Sequence, residues 1–197
     1  MLATVDQLKA ELGISGSSQD DRLSLLLAAA SSAIEGYCGR TFARATLTEQ
    51  ISPRGRQTIN LSRYPIASIA SVTMGTSTIT DYQRDDDAGQ LWREGGWTWA
   101  ALVLPDITQD PDPNMAARNV SVTYTGGYIL PGNPGADLPA ALQYASLRVA
   151  AQMYSRPAGY KSERTPGGYS YDIQDQADGG YLADVLSLIE PYRSQSV

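Results

Sequence analysis

The stretch VSVTYTGGYILPGNPGADLPAALQYA, from Val120 to Ala145, decides how this chain is organised. Val120, Val122 and Tyr124 alternate with serine and threonine, the period of two that marks a strand with one buried face. Glycines 126, 127, 132 and 135 and prolines 131, 134 and 139 then interrupt both kinds of regular structure. After Asp137, a candidate cap, the sequence becomes an apolar helix with Pro139 in its first turn and Pro157 at its exit. Ala141, Leu142, Ala145, Val149 and Met153 form its predicted buried stripe. Almost no reactive side chain lies between strand and helix, so the segment reads as architecture, joining a β-rich middle to a helical remainder.

Upstream of this joint the period is two as far back as Ala45. TLTEQI, QTINL, SIASVTM, STITDYQ, QLW and ALVL read as short strands, separated by SPRGR, SRYP and GTS turns. Prolines 105, 111 and 113 mark PDITQDPDPNM as a polar loop too long for a tight hairpin. Before Ala45 the period is helical. Thr4 caps a first helix, Gln7 sits at the reciprocal capping-box position and Gly13 ends it, with Val5, Leu8 and Leu12 on one face. A longer helix follows, with Ser18 as candidate cap and Asp20 and Asp21 in its first turn. Leu23, Leu26, Leu27, Ala30, Ile34 and Tyr37 form its stripe, Gly39 its stop, and small residues from Ala28 to Ala33 permit close helix approach. Downstream of Pro157, AGYKSERTPGGYSYDIQDQADGG is rich in glycine and tyrosine and poor in aliphatics, which predicts a flexible loop over 157–180. A last amphipathic helix buries Leu182, Val185, Leu186 and Ile189 before Pro191.

The expected class is α+β. A discontinuous helical core comes from residues 1–44 and 126–197, and a β-rich antiparallel insertion occupies 45–125.

Composition removes whole families of chemistry. The 197 residues are 42% hydrophobic and 18% charged, enough for a real core, and the net charge of −6 argues against a general nucleic-acid coat. There is no histidine, so imidazole triads and histidine-ligated zinc are impossible. The single cysteine, Cys38, supports neither an internal disulfide nor a thiolate metal site, and its place at a helix C-terminus disfavours a thiolate. No apolar run approaches the roughly 20 residues that span a bilayer. The opening MLATVDQLKAEL lacks the layout of a signal peptide. The expectation is a soluble protein of cytosol-like conditions, with no cofactor and no membrane partner.

The order of parts resembles the head–tail connector (head-completion or adaptor) family of tailed bacteriophages, in its longer form. LKAELGIS followed by DDRLSLLLAAASSAIEGYCGRTF is similar to the family's acidic turn, long helix and aromatic–x–Gly–Arg start. LSRYPIASIASVTM is similar to its proline approach to a serine–valine strand, and VSVTYTGGY to the strand before its proline-led helix, here DLPAALQYASLRVAAQMYSRP. LADVLSLIEPYR is similar to its closing helix ending in proline–tyrosine–arginine. The resemblance runs from Val5 to Arg193 and departs from the family between Ala158 and Gly180, where the link is longer. It implies a non-catalytic adaptor of the virion neck. Copies would form a ring, commonly a dodecamer, on the portal after packaging, extend the DNA channel without sequence-specific binding, and dock the tail or a stopper protein.

Several residue groups carry two readings. Pro191, Tyr192 and Arg193 are the candidate portal contact, an aromatic anchor beside a charged fork. Arg54, Arg56 and Arg63 read as a solvated turn or as guanidinium contacts to an acidic neighbouring subunit or to portal carboxylates. Trp92, Trp97 and Trp99 read as a small core, as an inter-subunit anchor through Trp97 and Trp99, or as the stacking platform of a carbohydrate- or peptide-binding module. Asp85, Asp86 and Asp87 suit a hard cation in kind. Consecutive strand residues point to opposite faces, however, so a solvated hairpin end or a channel-facing acidic run fits them as well. Scattered carboxylates such as Asp110, Asp112 and Glu163 suit a glycosidase-like pair in kind, and nothing in the sequence brings them together.

Overall fold

The computed structural model describes residues 1–53, 55–97, 120–155 and 183–194. The chain divides into two compact units, Met1–Arg40 with Ile129–Val197, and Thr41–Tyr128. Helices fill the first and antiparallel sheets the second, so the class is α+β.

In the helical unit, α1 (Val5–Leu12) begins at a capping box. The Thr4 hydroxyl accepts from the Gln7 amide at 3.2 Å, and the Gln7 side chain accepts from the Thr4 amide at 2.8 Å. Gly13 ends α1 at φ 66°, a left-handed conformation that costs a glycine nothing. A Lys9–Asp20 ion pair at 2.5 Å ties α1 to the start of α2 (Asp20–Cys38). The cap of α2 differs from the expectation at Ser18. Gln19 occupies the cap position without a side-chain capping bond, its Oε1 accepting from the Tyr154 hydroxyl instead, and its carbonyl receives the Leu23 amide at 2.9 Å. The turn Ser17–Asp20, closed by a 3.2 Å backbone bond, moves Ser18 one residue out of capping range.

Leu23, Leu27, Ala30 and Ile34 of α2 are buried as the stripe predicts, and Ser31 and Cys38 join them. Ser31 is tolerated inside because its hydroxyl donates to the Leu27 carbonyl at 2.8 Å and accepts from the Leu2 amide at 2.9 Å. Each leucine so enclosed is worth about 1.5–3 kcal/mol relative to exposure.

Helix α3 (Ala140–Ser155) packs on α1, α2 and α4 (Ala183–Ile189). It buries Leu142, Ala145, Ser146, Val149 and Ala150. Met153, expected inside, is 37% exposed; the inward stripe drifts toward Ala150 instead, as 3.6-residue periodicity allows. Pro139 sits just before the first helical residue rather than within the first turn, and its carbonyl receives the Gln143 amide at 3.2 Å. Asp137 braces the preceding loop by accepting from the Ile129 amide at 2.5 Å. In α4, Val185 and Ile189 are buried, Leu186 is half-buried, and Leu182 lies outside the described residues.

Among the described residues, the sheet unit holds a four-stranded sheet in the order β1 (Ala45–Ile51), β7 (Val120–Gly126), β3 (Ile66–Met74), β4 (Ser77–Thr78). A three-stranded sheet runs β2 (Thr58–Asn60), β6 (Gln90–Trp92), β5 (Gln83–Asp85). STITDYQ is therefore not one strand: its start pairs with Thr73 and Met74, and its last residue opens a strand of the other sheet. ALVL, the loop PDITQDPDPNM and the segment 157–180 lie outside the described residues. Strand β7 is central and alternates strictly, with Val120, Val122 and Tyr124 inward among Ile59, Leu61, Val72, Leu91 and Trp97. Its other face carries hydroxyls, Thr46 bonded to Thr125 at 2.6 Å and Thr48 to Thr123 at 2.9 Å. Two register shifts in β3 place irregularities near Ala67 and Ala70.

The glycines of TYTGGY have a steric purpose. A Cβ at Gly126 would strike the Arg63 carbonyl, and one at Gly127, held at φ 97°, would lie 2.7 Å from the Phe42 carbonyl. Both positions lie where neighbouring backbone comes too close for any side chain.

Candidate interaction site

The C-terminal end of α2 and the end of the described C-terminal segment come together by local rules at each partner. Gly39 turns left-handed after Cys38, its amide and that of Arg40 satisfying the last carbonyls of α2. Following α4, Pro191 cannot continue an α-helix, and Glu190–Tyr192 form a single 3₁₀ turn. The Arg193 amide closes that turn on the Glu190 carbonyl at 3.1 Å, and the Ser194 amide donates to the Cys38 carbonyl at 2.7 Å. The Tyr37 hydroxyl donates to Glu190 Oε2 at 2.7 Å. The Arg193 guanidinium lies 5.5 Å from the Tyr37 ring centroid and 3.5 Å from Glu190 Oε1.

These residues line an open depression of about 780 Å³, with Tyr37, Gly39, Glu190, Pro191 and Arg193 on its walls. The hydrogen bond to Glu190, followed by burial, raises the Tyr37 phenol above its ordinary pKa, so it stays a neutral donor. Burial pushes the Cys38 thiol up to about 11, with the Arg40 charge opposing; the fully enclosed sulfur is a packing group near the Ile189 carbonyl. The arrangement joins an aromatic face, a carboxylate and a guanidinium on an open surface. That chemistry suits recognition. No helix among the described residues is long and apolar enough to cross a membrane, and no three histidine, cysteine or acidic residues among them could hold a metal ion.

Of the residues expected at sites, Pro191, Tyr192 and Arg193 lie together in the turn just described, Pro191 and Arg193 exposed and Tyr192 half-buried. Arg56 is exposed, while Arg63 directs Nη1 to the Ala43 carbonyl at 2.8 Å and braces its own loop. Arg54 and Trp99 lie outside the described residues. Trp97 is enclosed completely in the sheet core, beside Tyr82 at 6.4 Å and Arg93 at 6.0 Å, so its ring is a core element in this chain. Trp92 is 36% exposed on a separate strand, and with Trp97 inside, the two form no common stacking platform. Asp85 accepts from the Ala88 amide at 3.0 Å and Asp86 pairs with Arg84 at 3.2 Å, as at a solvated hairpin end. Asp110, Asp112 and Glu163 lie outside the described residues.

Two polar constellations are absent from the sequence reading. One is Tyr37 with Glu190. The other is Glu49, which faces inward from β1 and receives the Tyr124 hydroxyl at 2.5 Å and the Ser62 amide at 3.2 Å. Burial, then the bond to Glu49, raises the Tyr124 phenol far above its ordinary range. The one available signal was Glu49 itself, a charge on the inward phase of an alternating strand.

The sequence profile of the head completion protein family matches residues 1–195. Among solved structures, a chain from the neck of an empty gene transfer agent particle, determined with C6 symmetry, matches with a TM-score of 0.58 and 19% identity. That match covers 100% of this chain and 91% of the other. A chain from the neck of the native particle, determined with C12 symmetry, matches at 0.52 and 20% identity over 98% and 89%. A chain of the native virion matches at 0.52 and 20% over 100% and 91%. At this identity the likeness is one of fold. No curated protein matches the chain.

Proposed function

The chain belongs to the head completion protein family, and we propose that it is the structural adaptor of a tailed phage or phage-like particle. Identical copies assemble as a ring, a dodecamer in the virion, on the portal after DNA is packaged. The ring extends the DNA channel and offers the docking surface for the tail or stopper protein, at the virion neck, with no catalytic step. The observation that carries this reading is the family match over residues 1–195, joined to a shared fold with neck chains over nearly the whole length.

The physical properties agree with that role. A net charge of −6 disfavours adhesion to DNA, which has to slide through the channel. The exposed turn at Pro191 and Arg193 is held on α2 by three contacts, from Tyr37, Cys38 and Glu190, and is the proposed portal contact. Arg56 and Arg63 remain proposed inter-subunit positions. Imaging particles that carry portal but lack this chain, before and after the protein is added, tests the reading. A new ring of density below the portal is expected, and a neck unchanged by the protein would reject it.

A further inference from the structure

The helical unit carries two outward stripes unlike ordinary water-facing helix surfaces. From Leu23 to Ile34, α2 has no charged residue in twelve positions, on any side. A helix uncharged all round is normally covered all round. Here Leu25 is 71% exposed, and Ala28, Ala29, Ser32 and Gly36 continue the same exposed stripe at intervals of three and four. Met1, 48% exposed, extends the patch through its contact with Ser24. Charges return only at the ends, with Asp21 and Arg22 before the stripe and Glu35 within its last turn. Helix α3 has one charge in sixteen residues, Arg148, already paired with Asp184 at 3.4 Å. Beside that pair runs a second stripe, with Ala140 and Tyr144 exposed, Tyr144 to 46%, and Leu147 and Ala151 half-buried along its side.

The two stripes differ in relief. Past Leu25, the α2 stripe has nothing larger than serine and forms a shallow groove along the helix. The α3 stripe is a ridge whose crest is Tyr144. Ridges of one helix seat in grooves of another, and exposed apolar surface bounded by polar residues marks a contact. We propose that the occupant of the α2 groove is the α3 ridge of the next copy, with Tyr144 against Ala28, Ala29 and Ser32. This rests on the ring arrangement proposed above. A contact between two different patches is head-to-tail, the kind that closes into a ring, whereas a self-complementary patch would stop at a two-fold dimer. Tyrosine at the centre of such a contact supplies broad area at low entropic cost.

Thiol cross-linking within assembled particles tests it. The natural Cys38 is fully buried and gives little background. With Ala29→Cys and Tyr144→Cys in one chain, a short bis-maleimide is expected to produce a covalent ladder at multiples of the chain mass. Ser32→Cys with Ala151→Cys provides a second pair, should the first disturb folding. A parent chain missing from the neck rejects the ring reading itself. Incorporation at the parent level with no ladder from either pair overturns the groove-and-ridge contact alone. Dimers formed as readily by Ala29→Cys alone would mean that α2 meets α2, which also overturns it.

Discussion

The Tyr37 hydroxyl, one residue before the end of α2, donates a 2.7 Å hydrogen bond to Glu190, the first residue of the C-terminal 3₁₀ turn. This bond is the largest cause of the raised Tyr37 pKa. A raised pKa means that the protonated phenol is favoured in the folded state. Its contribution is complete below the ordinary phenol value of about 10 and fades as pH rises through the higher folded value. The melting temperature of the parent is expected to exceed that of Tyr37→Phe at about pH 8, and the gap to close as pH rises past the folded value. No gap at pH 8 would mean that the aromatic contact with Arg193, which phenylalanine keeps, and not the hydroxyl, holds the turn.

Removal of everything after Glu190 separates anchoring from folding. The buried residues of α4, Val185 and Ile189, all precede the cut. The truncated chain is expected to keep the parent's circular dichroism and to lose attachment to portal-bearing particles. Attachment at the parent level would move the portal contact elsewhere.

Trp97→Ala tests whether that ring belongs to the core. Its side chain is fully enclosed among the residues of the sheet unit. Such a truncation costs about 3–5 kcal/mol, and a large fall in melting temperature of the isolated chain is expected. A variant with unchanged melting but poor ring formation would return Trp97 to the inter-subunit role.

Local signals were legible where the physics is local. The capping box at Thr4 and Gln7 and the left-handed glycines at 13 and 39 depend on residues three or four apart, so the sequence displays them directly. The alternation of β7 was equally plain, because one face of that strand is buried along its whole length. Pairings over long separations were hidden. Glu49 meets Tyr124 across 75 residues and Tyr37 meets Glu190 across 153, and no local pattern encodes either. The burial of Ser31 is hidden for the same reason, because one of the two bonds that satisfy its hydroxyl comes from the Leu2 amide, 29 residues away. The C-terminal turn itself shows in the sequence as Pro191, Tyr192 and Arg193 at a helix end. The Tyr37 side that supports it needed the fold.

Gly126→Ala is expected to destabilise the sheet unit by about 1–3 kcal/mol through overpacking against the Arg63 carbonyl. Tyr124→Phe, which leaves the inward Glu49 carboxylate without that donor, is expected to cost about 1–3 kcal/mol. Urea denaturation of both variants measures the losses. Parent-like midpoints would show that the backbone at Arg63 yields easily and that water replaces the Tyr124 hydroxyl.

Cryo-electron microscopy of particle necks assembled with this chain tests the central claim most directly. The account predicts a closed ring of this fold beneath the portal, each copy's C-terminal turn against portal density. A complete neck in which no density fits the chain would contradict it.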